Sequence, residues 1–126
     1  MRRVTKKIKT ISKSVWHKRA WKVFSKWVRR VGVVEYLPCF TCGKIYPVKE
    51  LDAGHFLHGK LDFDPINIQP QCTRCNRFLH GNLWEYGKRL TALYGEKAID
   101  QLEGRAKVRG NYYTITELQI IIKQYS

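Results

Sequence analysis

Residues 39 to 76 read CFTCGKIYPVKELDAGHFLHGKLDFDPINIQPQCTRCN, a run that opens on one Cys-x-x-Cys pair and closes on another. Cys39 and Cys42 form the first pair, Cys72 and Cys75 the second. Each pair can clamp one edge of a tetrahedral ion, and thiolate softness favours zinc. Four thiolates complete the coordination and leave no open position for a substrate, so the expected zinc is structural. The competing readings are four ordinary buried thiols and a redox dithiol. A redox dithiol belongs in a thioredoxin-like βαβ pattern and has no use for a second pair. Twenty-nine residues separate Cys42 from Cys72. A plain zinc ribbon has roughly 15 to 20, so the staple encloses something more.

The enclosed segment holds Asp52, His55, His58 and Asn67, and the second pair runs directly into Asn76 and His80. Phosphodiester cleavage needs an activated water, a cation on the developing charge and in-line positioning. Histidine titrates near neutrality and suits the removal of a proton from water. Asn76 and His80 are four apart and share a face if a helix begins at the second pair. An Asp oxygen, an Asn oxygen and an imidazole nitrogen make a ligand set for one divalent cation, with Mg²⁺ or Mn²⁺ matched to the hard oxygens. Singly, each residue has a plainer reading: a structural histidine, an aspartate in a turn, an asparagine capping a helix. Their order within the staple is what favours chemistry.

Outward from this stretch the chain is strongly basic. It has 126 residues, with 24 Lys and Arg against 10 acids and a net charge of +14. No acid precedes Glu35, and residues 1 to 30 carry twelve of the basic side chains. Such an excess points to a polyanionic partner, nucleic acid first and an anionic membrane surface second. No apolar run approaches the ~18 residues of a membrane span, and the basic N-terminus lacks a signal peptide's apolar core. A cytoplasmic protein with reduced cysteines is expected.

Residues 1 to 12 read as a basic arm, and the spacing of Trp16, Ala20, Phe24, Trp27, Val28 and Val31 predicts an amphipathic helix from Ser14 to Val31. Its tryptophans (Trp16, Trp21, Trp27) read as core packing. Arg2, Arg3, Lys6 and Lys7 of the arm, with Lys18, Lys22, Lys26, Arg29 and Arg30 of the helix, are the candidate DNA contacts. Short strands are expected at Lys44–Tyr46 and Leu51–Phe56. Helices are expected from Asn82 to Tyr94 with Leu83, Tyr86, Leu90 and Leu93 as the apolar face, from Glu96 to Leu102, and from a capping box at Thr114 and Glu117 to about Gln124. Arg105, Lys107 and Arg109 read as a basic loop. The expected organisation is one compact α+β domain in three parts: a basic arm and helix (1–34), a zinc-stapled core (35–96) and a helical extension (97–126).

The order His55, Asn67, then Asn76 or His80 resembles the HNH nuclease motif. The runs Cys39-x-x-Cys42, Asp52-Ala-Gly-His55-Phe56, Asn67-Ile-x-x-Gln71-Cys72-x-x-Cys75-Asn76, Gly81-Asn82 and Glu85-Tyr86 resemble more specifically the phage NinG/Rap recombination endonucleases. The two cysteine pairs, Asp52-x-x-His55 and Asn76 are also similar to the endonuclease VII type of Holliday-junction resolvase. The resemblance covers about residues 37 to 96. It implies a ββα-metal fold, divalent-metal-dependent cleavage of branched recombination intermediates (Holliday junctions and D-loops) approached from the minor groove, and the cytoplasm of a host cell. It implies His55 as general base, Asn67 as the residue orienting it, and Asp52, Asn76 and His80 as ligands of the catalytic cation, with His58 as a substitute. Gly54 stands where many HNH motifs carry an acid or histidine before the base. Nicking two strands implies a homodimer. The rivals are a non-catalytic zinc module that binds DNA or RNA, and a sequence-directed homing or restriction-type HNH enzyme, for whose base-reading region the chain has little room.

Overall fold

The computed structural model describes residues 10–110 and 112–126. Residues 1–9 of the basic arm, with its Arg2, Arg3, Lys6 and Lys7, lie outside the described residues. The elements in chain order are α1 (Lys13–Val28), β1 (Tyr36–Pro38), β2 (Ile45–Pro47), a 3₁₀ turn (Val48–Glu50), β3 (Leu51–His55), β4 (Ile68–Cys72), a π-helical turn (Arg74–Phe78), α2 (Leu83–Tyr94), α3 (Ala98–Arg109) and α4 (Ile115–Tyr125). The strands form two antiparallel hairpins, β1 on β2 and β3 on β4. In the second, Leu51 pairs with Cys72 and His55 with Ile68, so the cysteine end and the histidine end lie at opposite ends of one short ladder.

Ser12 caps α1 by accepting from the Val15 amide. The helix ends three residues short of the expected Val31, because Arg30 turns left-handed at φ 54° ahead of Gly32 at φ 83°. Ala20, Phe24 and Val28, four apart, face inward and pack with Phe63, Ile68, Tyr113 and Leu118, bringing α1 against α4. Trp16 and Trp21 pack against this core as expected, and Trp27 corrects the expectation. Trp16 and Trp21 are only half-buried at the rim of this core, and Trp27 is 48% exposed, stacked on Phe24 and edge-on to Tyr125. Thr114 and Glu117 form the expected capping box of α4, and Glu117 also accepts from Arg109.

Three further expectations are corrected. Of the four residues expected on the apolar face of α2, Tyr86 and Leu90 are buried, while Leu83 and Leu93 face solvent. The basic loop at Arg105, Lys107 and Arg109 is helix, since α3 runs to Arg109. Arg105 pairs with Asp64 at 2.8 Å, and Arg109 pairs with Glu117 at 2.7 Å while stacking on the Tyr113 ring. Two of these three cations therefore serve the fold. Lastly, no single helix follows the second cysteine pair. The π-helical turn stops at Phe78, His80 and Asn82 are left-handed at φ 49° and 48°, and α2 starts afresh at Leu83.

Tyr86 locks α2 onto the β3–β4 hairpin. Its buried hydroxyl lies 2.8 Å from the Gly54 carbonyl and 3.0 Å from that of Asn67, one on each strand side. Burial holds its phenol well above the usual range, so it stays a donor.

Candidate metal centre and catalytic cluster

The ligand sulfurs of Cys39, Cys42, Cys72 and Cys75 all lie within 4.8 Å of one another. Cys42 Sγ and Cys72 Sγ are 3.9 Å apart. A tetrahedral zinc with Zn–S bonds of about 2.3 Å sets its sulfurs about 3.8 Å apart, so the donor set fits such an ion. Local hydrogen bonding puts the sulfurs there. In the first pair the Cys39 amide donates to the Lys44 carbonyl at 2.8 Å and the Gly43 amide to the Cys39 carbonyl at 2.9 Å, with Gly43 at φ 78°. In the second, the Cys75 amide points at Cys72 Sγ. The thiols do not ionise together unaided. Burial resists charge on Cys39, but the Thr41 hydroxyl and nearby backbone amides outweigh it and hold that thiol at about 6. Burial, then the neighbouring sulfurs, push Cys42 up to about 12 against a backbone bond at Lys44. Burial first also raises Cys75, against hydrogen bonds from Thr41 and Asn82. A divalent cation relieves this conflict by stabilising all four as thiolates. The cluster can hold a metal such as zinc, and it joins the β1–β2 turn to the end of β4 and the π-helical turn.

Alternation along β3 puts Asp52 and Gly54 on one face, Ala53 and His55 on the other. On the first face Asn76 donates to Asp52 Oδ2 at 3.1 Å. Arg77 spans the same carboxylate, Nε to Oδ2 at 3.1 Å and Nη2 to Oδ1 at 3.0 Å. Gln71, the partner of Asp52 across the ladder, is fully buried. Its amide nitrogen donates to Thr41 Oγ1 and the Gly81 carbonyl, and its Oε1 has no hydrogen-bond partner. A Cβ on Gly54 would stand 1.8 Å from that oxygen and 3.0 Å from Asn76 Oδ1. Glycine is thus dictated by the Gln71 amide, which is pinned and cannot yield. Gly54→Ala is expected to lower stability by about 1–3 kcal/mol, read as a shifted chemical-denaturation midpoint; a change of under about 0.5 kcal/mol would show the Gln71 site to be soft.

On the second face His55 Nε2 lies 3.1 Å from Asp62 Oδ1, and His17 Nε2 from α1 lies 3.1 Å from Asp62 Oδ2. One carboxylate therefore bridges two imidazoles. The hydrogen bond with His55 lowers the Asp62 carboxyl below its ordinary value of 3.8 against the pull of burial, and His17 adds to the lowering. An ionised carboxylate only accepts, so each Nε2 carries a hydrogen; an imidazole in its neutral form then keeps its lone pair at Nδ1. The stabilisation belongs to the pH range above 3.8 and is lost as pH falls through the lowered value. Trp21 stacks on the His55 ring at 5.0 Å and 16°, and His58 stacks on it at 5.2 Å.

Asn67, expected to orient His55, makes no side-chain hydrogen bond to the imidazole among the described residues. It is fully buried, accepts from the Leu57 amide and donates to the Leu57 and Leu61 carbonyls, so it closes the loop between β3 and β4. The contact to His55 comes from Asp62. That role escaped the sequence reading, although Asp62 lies within His55's own loop, because nothing in the spacing reveals which side chain the loop turns inward. Trp21 and His17 were missed because the fold alone brings α1 to this face. His80, expected as a ligand, is exposed on the left-handed turn. Asp52 and Asn76 are in contact as a ligand pair requires, whereas His55 faces the other way. Of the candidate DNA contacts on α1, Lys18, Lys22, Lys26 and Arg30 are exposed. Arg29 is half-buried and donates to the Ser25 and Leu51 carbonyls, which ties α1 to β3.

A family model described as bacteriophage lambda NinG protein matches residues 1–126. Protein ninG of Escherichia phage lambda is 31% identical over 117 residues, covering 90% of this chain and 55% of its own length. Protein ninG of Salmonella phage P22 is 32% identical over 117 residues, with the same two shares. The chain thus spans about half the length of the curated relatives it matches. No solved structure matches it. Among the described residues, no helix is long and apolar enough to cross a membrane.

Proposed function

The chain belongs to the NinG family of bacteriophage lambda-like proteins, and from that premise we propose that it is a divalent-metal-dependent DNA endonuclease of the HNH, ββα-metal type that cuts branched recombination intermediates. The observation that carries this reading is the contact of Asp52 with Asn76 beside the second cysteine pair; His55, held by Asp62, lies on the opposite face of the same hairpin, and the reading requires bound DNA to bring the two groups to one phosphate at the hairpin's edge. The succession of hairpin, sulfur-tied turn and helix α2 supports a ββα-metal core.

Asp52 offers a carboxylate and Asn76 its Oδ1, the amide nitrogen being turned toward Asp52. These hard donors suit Mg²⁺ or Mn²⁺, and the exposed His80 is left out of the set. A cation held there would supply Lewis-acid stabilisation of the charge that develops on the phosphate. Arg77 must leave Asp52 to make room; its side chain is 66% exposed and free to take a DNA phosphate instead. His55 takes the proton of the attacking water at Nδ1, and Asp62 stabilises the resulting imidazolium from Nε2. Asp62 is a positioning residue, and Trp21 limits rotation of the ring. Lys18, Lys22, Lys26 and Arg30 contact phosphates along the duplex arms. Two copies act together, one nick each.

A second reading, a zinc-stapled nucleic-acid-binding module without catalysis, is favoured by the closed state of Asp52, whose two oxygens are both held by Arg77. The test offers four-way junction, supercoiled plasmid and linear duplex to the chain with Mg²⁺ or Mn²⁺. Junction nicking is expected to be at least about tenfold faster than linear-duplex nicking, since substrate choice rests on DNA shape. Equal rates would remove the branched-DNA preference and leave the nuclease. Junction binding without cutting in either metal would establish the module.

A further inference from the structure

The segment joining the π-helical turn to α2 carries apolar side chains that no element covers. Phe78 is 75% exposed and Trp84 78%, with Leu79 and Leu83 exposed beside them. The same segment is basic: Arg74 and His80 are exposed, and Lys88 sits 5.7 Å over the Trp84 ring. Between Pro65 and Gly95 there is one acid, Glu85, paired with Lys88 at 2.9 Å. Aromatic rings interleaved with charges of one sign suit a polyanion that also presents flat apolar faces, which is a nucleic acid with accessible bases.

The position of this segment narrows the partner further. Phe78 follows Asn76 by two residues, and successive Cα atoms are about 3.8 Å apart. Bases of one strand are spaced by about 3.4 Å along the axis. Residues two apart on a helical turn do not share a face, so a strand held at Asp52 and Asn76 reaches Phe78 by bending around the turn within one or two nucleotides of that phosphate. We propose that Phe78 is a wedge that enters the base stack beside the scissile phosphate, with Trp84 as a second stacking platform. Unstacking an intact duplex is costly, whereas at a branch point the stack is already interrupted. The wedge makes DNA with broken stacking the preferred ligand. This inference rests on the DNA-cleaving reading above and names the device that selects its substrate.

The test uses a four-way junction and a matched linear duplex, each with 2-aminopurine next to the cleavage position. Wild-type chain is expected to raise 2-aminopurine emission on the junction. Phe78→Ala is expected to bind the junction about tenfold more weakly, to bind the linear duplex within about twofold of wild type, and to abolish the emission rise. Phe78→Trp is expected to restore both. Phe78 is largely in solvent, so an unchanged melting temperature will separate this loss from unfolding. Unchanged junction affinity and emission in Phe78→Ala would overturn the wedge. So would a wild-type dimer that the substitution turns into monomers with DNA binding unaltered, since a second copy would then cover the ring. An emission rise without cleavage would keep the wedge and remove the catalysis; no DNA binding by wild type would overturn both.

Discussion

Replacing His55 by glutamine is expected to slow DNA cleavage by about 10²- to 10⁴-fold while leaving the fold and DNA affinity in place. The imidazole has one nitrogen engaged by Asp62 and a second with a lone pair, and the second does the chemistry. A glutamine amide can still donate to Asp62 Oδ1, so the bridge that also holds His17 survives. It cannot take up a proton near neutral pH. His55→Ala is expected to lose the same activity and, in addition, the stacking partner of Trp21, so it will melt below wild type where His55→Gln does not. Single-turnover cleavage of a labelled junction, read beside thermal melts, separates the two effects. Wild-type rates in His55→Gln would remove His55 as the base.

Replacing Cys75 by serine is expected to release the bound metal and lower the thermal midpoint by more than about 10 °C. Structural zinc contributes about 10–16 kcal/mol in small zinc-finger peptides, against a net stability of about 5–15 kcal/mol for a whole domain. The middle of this chain depends on such an ion more than its ends do. The α1–α4 core is built from Phe24, Phe63, Leu118 and their neighbours, with no cysteine in it. The cluster under β1 and β4 consists of Leu51 and the cysteines themselves, with Leu37 and Tyr46 at its edge. Losing the ion leaves close-set thiols that resist shared ionisation, with the Phe40–Pro70 and Gln71–Thr41 hydrogen bonds left to join the two hairpins. Zinc content by chelator titration, with melting followed by circular dichroism, checks this: one zinc per wild-type chain, none in Cys75→Ser. A Cys75→Ser variant that melts with wild type would show that the sulfurs are ordinary core thiols.

The parts of the fold legible in the sequence are those governed by local rules. The four cysteines, the body of α1, the start of α4, β3 and the capping box at Thr114 rest on spacing and on side chains that act within one turn. β4 was not legible because Pro70 stands in its centre, a residue that reads against a strand. It is tolerated because a two-stranded ladder has only edges, and the Pro70 carbonyl still accepts from Phe40. The break between the cysteines and α2 was hidden because Asn76 and His80 have perfect helical spacing. The left-handed turn at His80 and Asn82 that separates them is set by the Gly81 carbonyl's bond to Gln71, a tertiary contact. Asp62 and Trp21 belong to the same class: their approach to His55 depends on the closed loop beneath Asn67 and on the packing of α1, neither of which has a periodic signature.

The claim on which the rest depends is that this chain hydrolyses DNA with a cation distinct from the one held by sulfur. Its most direct test is strand cleavage of a labelled four-way junction by zinc-loaded chain, first without and then with added Mg²⁺, the zinc content being measured in both samples. The expected result is an intact junction until Mg²⁺ is added, then nicks bearing 5′-phosphate ends at constant zinc. Cleavage that needs no second cation, or a junction that is bound but stays whole at every Mg²⁺ and Mn²⁺ concentration, would contradict it.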